Sequence, residues 1–283
     1  MPPLTVTLTS LARYPLKSGR AEPLAEAVVE PWGLAGDRRW MVVDDAGAMV
    51  TGRQVPALVL VGARVLDGAL ELRAEGHPVL RVPAPAGPDR VPVDLWGSRF
   101  LATSAPGAEA WLAGVLGRPA RLLHLVDPRG RPADPAYARL GDTVSLADGF
   151  PLLLTSEESL AALEGWVAAG PRPDEGLLGM GRFRPNLVVA GAPAWEEDRW
   201  RRVRVGDVTL RVVKACERCA FTLVDPGTAV RTKEPLASLA RHRRHDGKTW
   251  FGVNLVPEQP SGRIRVGDLV EVLEAAPEPG PLH

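Results

Sequence analysis

Hydrophobic and polar residues alternate along much of this chain, which is the pattern of strands that bury one face. Residues 4–10 alternate in this way, and residues 57–76 contain two alternating segments around a two-residue turn at Asp67-Gly68. Residues 202–212 and 263–273 each consist of a strand, Gly-Asp and a second strand, so each predicts a tight hairpin. Shorter strands are predicted at residues 25–31, 39–47, 48–54, 182–191 and 219–227, with a hairpin turn at residues 45–47.

Two segments have apolar residues at helical spacing instead. Residues 108–117 end at Gly117, a residue type that commonly follows the last turn of a helix. The second helix is predicted to begin at Thr155, with Glu158 three residues later completing a capping box, and to run to about Val167. Between the two helices, residues 126–142 are rich in proline, glycine and charged residues, which predicts a long loop or linker.

Together these elements predict an α+β, β-rich protein with few helices. The 283 residues are enough for two domains, each with its own buried core. We expect a β-rich N-terminal domain at residues 1–125, a β-barrel domain at residues 126–275 and a C-terminal tail at residues 276–283.

The composition is that of a soluble globular protein, with 45% hydrophobic and 24% charged residues. The 34 basic residues balance the 34 acidic ones, so no global field attracts nucleic acid or an acidic membrane. The chain does not open on a signal-peptide pattern, and no apolar run approaches the roughly 20 residues of a membrane span. Because the two cysteines are only three positions apart, we expect reduced thiols and a cytoplasmic location.

The pair Cys216 and Cys219 is compatible with several chemistries. A redox dithiol requires a helix after the first cysteine, whereas the residues that follow alternate like a strand. A structural zinc site needs four ligands, and the two histidines in residues 241–245 have a spacing unlike that of zinc fingers. A single thiolate could bind a soft metal, with Lys214 and Arg218 favouring its deprotonated form. These residues alone do not decide between that interpretation and two inert buried cysteines.

Six short motifs follow one another along the chain. They are YPLKS (residues 14–18), GDRRW (36–40), TGRQ (51–54), RFRPN (182–186), CERC with the following TLVDP (216–226), and FGVNL (251–255). In this order, and with the cysteine segment intact, the series resembles the MOSC family. The resemblance is to two-domain members with an N-terminal β-barrel domain, the group of the mitochondrial amidoxime-reducing component and its bacterial relatives. It extends from about residue 4 to about residue 274.

The resemblance implies a molybdopterin cofactor whose molybdenum takes one cysteine of the protein as a ligand. By motif alignment this ligand is Cys219, which is therefore the predicted catalytic and metal-binding residue. A cofactor phosphate is held best by arginine forks and a lysine charge. The cofactor-binding residues that the resemblance implies, besides Cys219, are Lys17, Ser18, Arg38, Asp148, Gly149, Phe150, Arg184, Asn186, Glu217 and Arg218. No site for pyridoxal phosphate is expected.

The activity implied by the resemblance is the reduction of N-hydroxylated compounds to amines or amidines. Substrates of this class are amidoximes, hydroxylamines and N-hydroxylated nucleobases, and an external flavin or iron–sulfur protein is expected to supply the electrons. The alternative is a non-catalytic protein that carries the cofactor, or its sulfur, to other enzymes. Neither nucleic acid nor a membrane is an expected partner.

Three features also have ordinary structural interpretations. Arg38 beside Asp37 is compatible with an exposed ion pair on a hairpin, which contributes little to stability. Asn186 is compatible with a turn that leads into a strand. The basic run at residues 241–245 is either a solvated surface or a docking site for an acidic electron donor.

Overall fold

The computed structural model describes residues 5–277, and strands dominate this part of the chain. The strands are β1 (Val6–Arg13), β2 (Glu22–Leu24), β3 (Glu26–Glu30), β4 (Gly33–Leu34), β5 (Trp40–Val43), β6 (Gly62–Leu66), β7 (Ala69–Arg73), β8 (Leu80–Pro83), β9 (Arg90–Leu95), β10 (Ser98–Ser104), β11 (Arg121–His124), β12 (Leu152–Ser156), β13 (Leu187–Ala190), β14 (Trp200–Val205), β15 (Val208–Glu217), β16 (Arg244–His245), β17 (Lys248–Pro257), β18 (Gly262–Arg265) and β19 (Leu269–Ala275).

The helices are few and short. The α-helices are α1 (Glu109–Leu116), α2 (Glu157–Ala168) and α3 (Leu236–His242). Single turns of 3-10 helix lie at Pro56–Leu60, Pro128–Gly130, Pro173–Glu175, Met180–Arg182, Glu196–Arg199 and Ala220–Leu223. This content confirms the predicted β-rich α+β class. No helix within residues 5–277 is long and apolar enough to cross a membrane. Of the predicted C-terminal tail, residues 278–283 lie outside the described part.

Seven strands of the largest sheet close into a barrel. They pair in the order β12, β13, β1, β19, β14, β15 and β17, and β17 pairs back with β12. The pairing of β12 with β13 is parallel and the other pairings around the ring are antiparallel. Alternate residues of these strands, including Leu8, Leu154 and Val203, form one buried core. Closure satisfies the hydrogen-bonding groups that an open sheet would expose at its edges.

The first strand, β1, is one of the strands that form this barrel. Leu8 of β1 pairs with Val189 of β13, and Val6 pairs with Val270 of β19. From β1 the chain leaves the barrel to build the N-terminal sheets, and it returns to the barrel at β12. Strands from both sides of residue 125 build the barrel. The domain division predicted at this residue stays a prediction.

The N-terminal sheets form a second layer with cores of their own. One sheet has the strand order β5, β11, β10 and β9, and another has the order β6, β7 and β8. Leu70 of β7 and Leu112 of α1 belong to one buried cluster, while Met41 of β5 and Leu95 of β9 belong to another. A third small sheet joins β3 and β4 to β18, a strand from the far end of the chain.

Three of the four predicted hairpins are present. The chain turns tightly at residues 45–47, at Asp67-Gly68 between β6 and β7, and between β14 and β15. The hairpin predicted at residues 263–273 is wrong, because β18 pairs with β3 while β19 pairs with β14 and β1. The strands β18 and β19 each pair with strands that are distant in the sequence, and no local pattern predicts these pairings.

Several local predictions also differ from the structure. The second helix has Ser156 as its N-cap, with the Ser156 hydroxyl oxygen accepting the Ser159 N–H, while Thr155 is buried in β12. Residues 220–223 form a 3-10 helix and not a strand. Residues 51–54 form a turn, closed by the N–H of Gln54 donating to the carbonyl of Thr51. In the last two cases a segment that was predicted as part of a strand adopts a compact turn.

Candidate functional site

A cleft with a cavity volume of about 160 Å³ opens between the barrel and the N-terminal sheets. It is lined by every residue that the resemblance implied for the cofactor, although these residues come from distant parts of the chain. They are Lys17, Ser18, Arg38, Asp148, Gly149, Phe150, Arg184, Asn186, Glu217, Arg218 and Cys219. The structure thus brings the predicted set to one place, while the role of each residue toward a cofactor stays a prediction.

The cleft concentrates positive charge in a chain whose formal net charge is zero. Its lining includes six basic side chains and two carboxylates, namely Lys17, Arg38, Arg53, Arg182, Arg184 and Arg218 against Asp148 and Glu217. A concave surface with one prevailing sign of charge raises the local concentration of ligands of the opposite sign. This lining therefore favours an anionic ligand.

The contacts of Arg184 indicate which chemical group that ligand must carry. One of its guanidinium nitrogens donates to the carbonyl of Gly19, and the group lies 4.1 Å from the centroid of the Tyr14 ring. Its Nη2 is buried and has no hydrogen-bond partner among residues 5–277. Burial and the neighbouring charge of Arg38 lower the pKa of Arg184 to about 10. Since an unpaired buried cation is costly, this group fits an anion such as a cofactor phosphate.

Arg218 presents a second unused donor in the same cleft. Its Nη2 donates to the carbonyl of Phe183 at 2.6 Å and its Nη1 to the sulfur of Cys216 at 2.8 Å. The buried Nε of Arg218 has no partner in the described structure. Two incompletely satisfied arginines in the lining of one cleft fit a phosphate-bearing cofactor better than an uncharged ligand.

Arg38 organises the floor of the cleft. Its Nη1 donates to the Asp37 carboxylate and, at 3.1 Å, to Oδ1 of Asn186, while its Nη2 donates to the carbonyl of Arg184 at 3.1 Å. Burial opposes the charge of Arg38, but the Asp37 carboxylate raises the pKa of this guanidinium above its ordinary value. Both partners are buried, so the exposed ion pair considered from the sequence is wrong.

Asn186 links this network to the barrel. Besides accepting from Arg38, its Oδ1 accepts the Leu153 N–H at 3.3 Å, and its Nδ2 donates to the carbonyl of Ala12 at 3.1 Å. The side chain therefore connects β12 and β1 to the arginine pair. A simple turn before a strand does not require these contacts.

Lys17 and Asp148 form an ion pair at the other side of the cleft. The Lys17 ammonium donates to Asp148 at 2.6 Å and to the carbonyl of Leu146 at 2.8 Å. Burial lowers the pKa of Lys17, and Asp148 opposes that shift. Desolvation in the cleft would raise the pKa of Asp148, but the charge and hydrogen bonds of Lys17 and a hydrogen bond from Trp96 hold it well below its usual range. Asp148 therefore offsets much of the Lys17 charge at neutral pH.

The two cysteines have different surroundings. The Cys219 side chain is exposed and Cys216 is partly buried, and both are free thiols. Arg218 contacts Cys216, whereas Arg53 places its Nη1 3.7 Å from the sulfur of Cys219. The Lys214 ammonium lies 4.3 Å from the centroid of an aromatic ring, Tyr137, and its predicted influence on the thiols stays a prediction.

The zinc interpretation of the cysteines receives no support from the described residues. Nowhere in residues 5–277 do three or more His, Cys, Asp or Glu side chains come together as a metal-binding group. A 3-10 helix follows Cys219 directly, and this cysteine presents its thiol to the cleft. This geometry is compatible with one thiolate offered to a soft metal.

Arg53 and Trp96 were not predicted from the sequence as site residues. The Arg53 guanidinium lies 4.4 Å from the centroid of the Trp96 ring, and the Trp96 indole N–H donates to Asp148 at 3.1 Å. Arg53 belongs to the TGRQ motif, so a signal for it existed. Nothing in the sequence around Trp96 distinguishes it from the other tryptophans.

Unfavourable backbone conformations gather at this cleft. Among the residues described, seven that are not glycine have a left-handed backbone, and four of them line the cleft. Those four are Ser18 (φ 67°), Arg38 (φ 47°), Trp96 (φ 57°) and Arg184 (φ 57°). Each such conformation costs roughly 1–2 kcal/mol. Strain of this kind is typical of functional sites, where the surrounding structure holds it.

The basic run at residues 241–245 is partly built into the fold. Arg243 donates to the buried carboxylate of Asp198, and Arg241 lies 3.7 Å from Glu234. The ring of His242 stacks on that of Trp166 with centroids 4.4 Å apart. A purely solvated surface does not describe this run, and its role in docking a donor stays a prediction.

The fold and the site together define a class: this is a two-layer β-rich protein. Its β-barrel and its N-terminal sheets flank a cationic cleft that contains an accessible thiol. Two family models match the chain: "MOSC domain" at residues 141–271 and "MOSC N-terminal beta barrel domain" at residues 5–119. The chain belongs to the MOSC family, as the similarity to curated relatives also shows.

Mitochondrial amidoxime-reducing component 1 of Homo sapiens is 35% identical over 288 residues, which cover 94% of this chain and 83% of that protein. The protein of the same name from Xenopus laevis is 34% identical over 285 residues, 93% of this chain and 81% of that one. A molybdenum cofactor sulfurase of Oryza sativa subsp. japonica is 29% identical over 276 residues, 88% of this chain and 32% of that one. The cytoplasmic location predicted from the sequence is contradicted, since the first two relatives are mitochondrial by name.

Proposed function

We propose that this chain is a molybdenum-cofactor-dependent oxidoreductase that reduces N-hydroxylated compounds to amines or amidines. The observation that carries the proposal is the meeting of an accessible thiol, Cys219, with incompletely paired arginine donors in one cationic cleft. The reaction type is supported by the similarity to amidoxime-reducing components over nearly the whole chain. Amidoximes, hydroxylamines and N-hydroxylated nucleobases are the proposed substrates.

The residues of the cleft have distinct proposed roles. Arg184 and Arg218 hold the cofactor phosphate with their unused donors. Cys219 is the protein ligand of the metal and tunes it, without acting as a nucleophile. Arg38 and Asn186 keep Arg184 in place through their hydrogen bonds. In this proposal the residues of the chain bind and orient the cofactor and the substrate, while the cofactor supplies the redox chemistry.

When bound, the cofactor supplies the two-electron chemistry that breaks an N–O bond, with two protons taken up and water released. The two electrons for each turnover come from an external flavin or iron–sulfur protein in this proposal. The positive lining favours uncharged or anionic substrates in the cleft over cationic ones. Amidoximes meet that requirement because they are uncharged at neutral pH.

A second function is a carrier that delivers the cofactor, or its sulfur, to other enzymes. The observation that favours it is the 29% identity to a molybdenum cofactor sulfurase. A carrier and a reductase share the need for a cationic cleft and a thiol. They differ in whether substrate turns over at the bound cofactor.

Purified, molybdenum-loaded protein with an artificial electron donor distinguishes the two functions. We expect stoichiometric molybdenum by mass spectrometry and conversion of benzamidoxime to benzamidine. Loaded protein that reduces no N-hydroxylated compound, but transfers its cofactor to a cofactor-free enzyme, would establish the carrier. Protein that takes up no molybdenum would exclude both functions.

Replacement of each cysteine tests the metal ligand. Cys219→Ser should keep the fold and lose bound molybdenum and activity by at least about 100-fold, since a ligand matters more than its supporting shell. Cys216→Ser should retain most of both, because the Cys216 sulfur is engaged by Arg218. Molybdenum content and benzamidoxime turnover are the measurements, with circular dichroism as the check on folding. An equal loss in both variants would show that the cysteines act as a pair.

A further inference from the structure

Trp96 occupies a turn that is unsuited to its side chain. Leu95 of β9 pairs with Ser98 of β10, so Trp96 and Gly97 form a two-residue loop, with φ angles of 57° and 84°. Hairpin loops in which both residues have positive φ favour Asn or Gly at the first position, because larger L-residues are strained there. The hairpin would therefore form more easily with another residue at position 96.

Only part of the Trp96 surface is buried. The Trp96 side chain is 56% exposed, whereas Trp200 in the barrel is 1% exposed. A tryptophan normally contributes to stability through the large apolar area that it removes from water. More than half of that contribution is missing here, so burial gives less reason for a tryptophan at the hairpin tip than in the barrel.

The contacts of Trp96 point to the cleft. The Arg53 guanidinium covers the Trp96 ring at 4.4 Å from its centroid, and the indole N–H donates to Asp148 at 3.1 Å. These two contacts orient the plane of the ring. Arg53 also reaches to 3.7 Å from the sulfur of Cys219, so Trp96 is separated from the thiol by one side chain.

We propose that Trp96 determines substrate specificity by stacking with planar, uncharged aromatic N-hydroxylated substrates at the mouth of the cleft. This inference rests on the function proposed above. The exposed part of the ring offers a flat apolar surface, one side chain away from the thiol, and aromatic groups stack on such surfaces. Arg53 already provides the cation that the electron-rich ring attracts, which disfavours a second one. An aromatic amidoxime is uncharged at neutral pH while its amidine product is a cation, so the site retains substrate better than product.

The test compares benzamidoxime with acetamidoxime, which carries the same reacting group without an aromatic ring. In the molybdenum-loaded Trp96→Asn variant, we expect kcat/KM for benzamidoxime to fall about three- to tenfold, mainly through a higher KM, the range that aromatic stacking supports. The value for acetamidoxime should change less than about twofold.

Two further variants serve as controls. Trp96→Phe keeps an aromatic surface and should restore most of the activity toward benzamidoxime. Trp32→Ala removes a tryptophan outside the cleft lining, whose indole N–H donates to Glu30. It should change the kinetics of neither substrate.

An equal fall for both substrates, or an unchanged value for benzamidoxime, would overturn the inference. If the loaded wild type reduces neither compound, the proposed function fails, and calorimetric binding to the same protein then decides about Trp96. Benzamidoxime binding that Trp96→Asn weakens about three- to tenfold would still support the stacking role. Binding that does not depend on Trp96 would refute it.

Discussion

Two arginines of the cleft show how partners decide the role of a residue. Arg182 donates to Asp225 at 3.0 Å and to the carbonyl of Leu178 at 3.1 Å, so its charge is compensated within the protein. Arg184, two positions later, keeps a buried nitrogen without a partner among the described residues. Arg182 therefore stabilises the loops of the cleft, whereas Arg184 keeps a donor that a ligand can use.

Replacement of these two arginines should have opposite effects on stability. In protein prepared without cofactor, Arg184→Met should raise the free energy of unfolding by about 1 kcal/mol, since an unpaired buried charge gives way to apolar packing. Arg182→Met is the matched control and should lower it by about 1–3 kcal/mol, because Asp225 and the carbonyls lose their donor. Unfolding in urea measures both values.

Cofactor binding completes the comparison of the two arginines. Arg184→Met should also lower the amount of molybdenum that the purified protein retains, despite its greater stability. A destabilisation by Arg184→Met as large as that by Arg182→Met would show that Arg184 serves the fold instead of a ligand.

At the scale of elements, the 3-10 helix Glu196–Arg199 packs buried carboxylates against α2. The Glu197 carboxyl accepts the hydroxyl of Ser159 at 2.9 Å, and the adjacent Asp198 accepts from Arg243. Burial and the charge of Asp198 raise the pKa of Glu197 from 4.5 to about 7. Packing of the 3-10 helix is therefore coupled to the protonation of the Glu197 carboxyl.

This coupling predicts how stability depends on pH. Between pH 4.5 and about 7 the folded protein holds a proton on Glu197 that the unfolded chain has lost, so the free energy of unfolding falls as the pH rises through this range. Glu197→Gln should remove that slope and exceed the wild type at pH 8 by about 1–3 kcal/mol. Urea unfolding at pH 5 and pH 8 gives both comparisons.

Glu196→Gln is the control for this effect, because Glu196 lies on the same helix and pairs with Arg199 at the surface. It should leave the slope between pH 5 and pH 8 in place. If the difference between wild type and Glu197→Gln is the same at both pH values, Glu197 does not carry the coupled proton.

At the scale of the whole molecule, the barrel closes where β12 meets β17. Leu154 pairs with Val253 at this seam, and the preceding Gly252 has a φ of 74°. A Cβ on Gly252 would lie 2.6 Å from the carbonyl oxygen of Leu154. The closest approach of the two strands thus requires glycine, and the same strands carry the cleft residues Leu153 and Asn254.

Gly252→Ala should therefore weaken the closure of the barrel. We expect a loss of about 3 kcal/mol or more in the free energy of unfolding, from the backbone conformation and the collision together. Gly247→Ala is a matched control, because Gly247 has the same φ of 74° and a Cβ there meets nothing within 4 Å. It should cost only about 1 kcal/mol. Similar losses in the two variants, measured by urea unfolding, would mean that the seam tolerates the methyl group.

The sequence by itself determined the features that depend on near neighbours. The hairpin of β14 and β15, the helix that ends at Gly117 and the β-rich class follow from periodicity and turn chemistry within a few residues. The six ordered motifs also contain many of the residues that line the cleft, from Lys17 to Cys219, because each motif keeps its own local signature.

Only the tertiary structure decided which groups meet. Pairing of β18 with β3 instead of β19 depends on strands more than 200 positions apart, and local alternation contains no trace of that choice. The approach of Arg53 to the Cys219 sulfur depends on how a turn of the N-terminal part packs against the barrel. The same holds for Trp96 and for the unused donor of Arg184, since burial and pairing are properties of the assembled cleft.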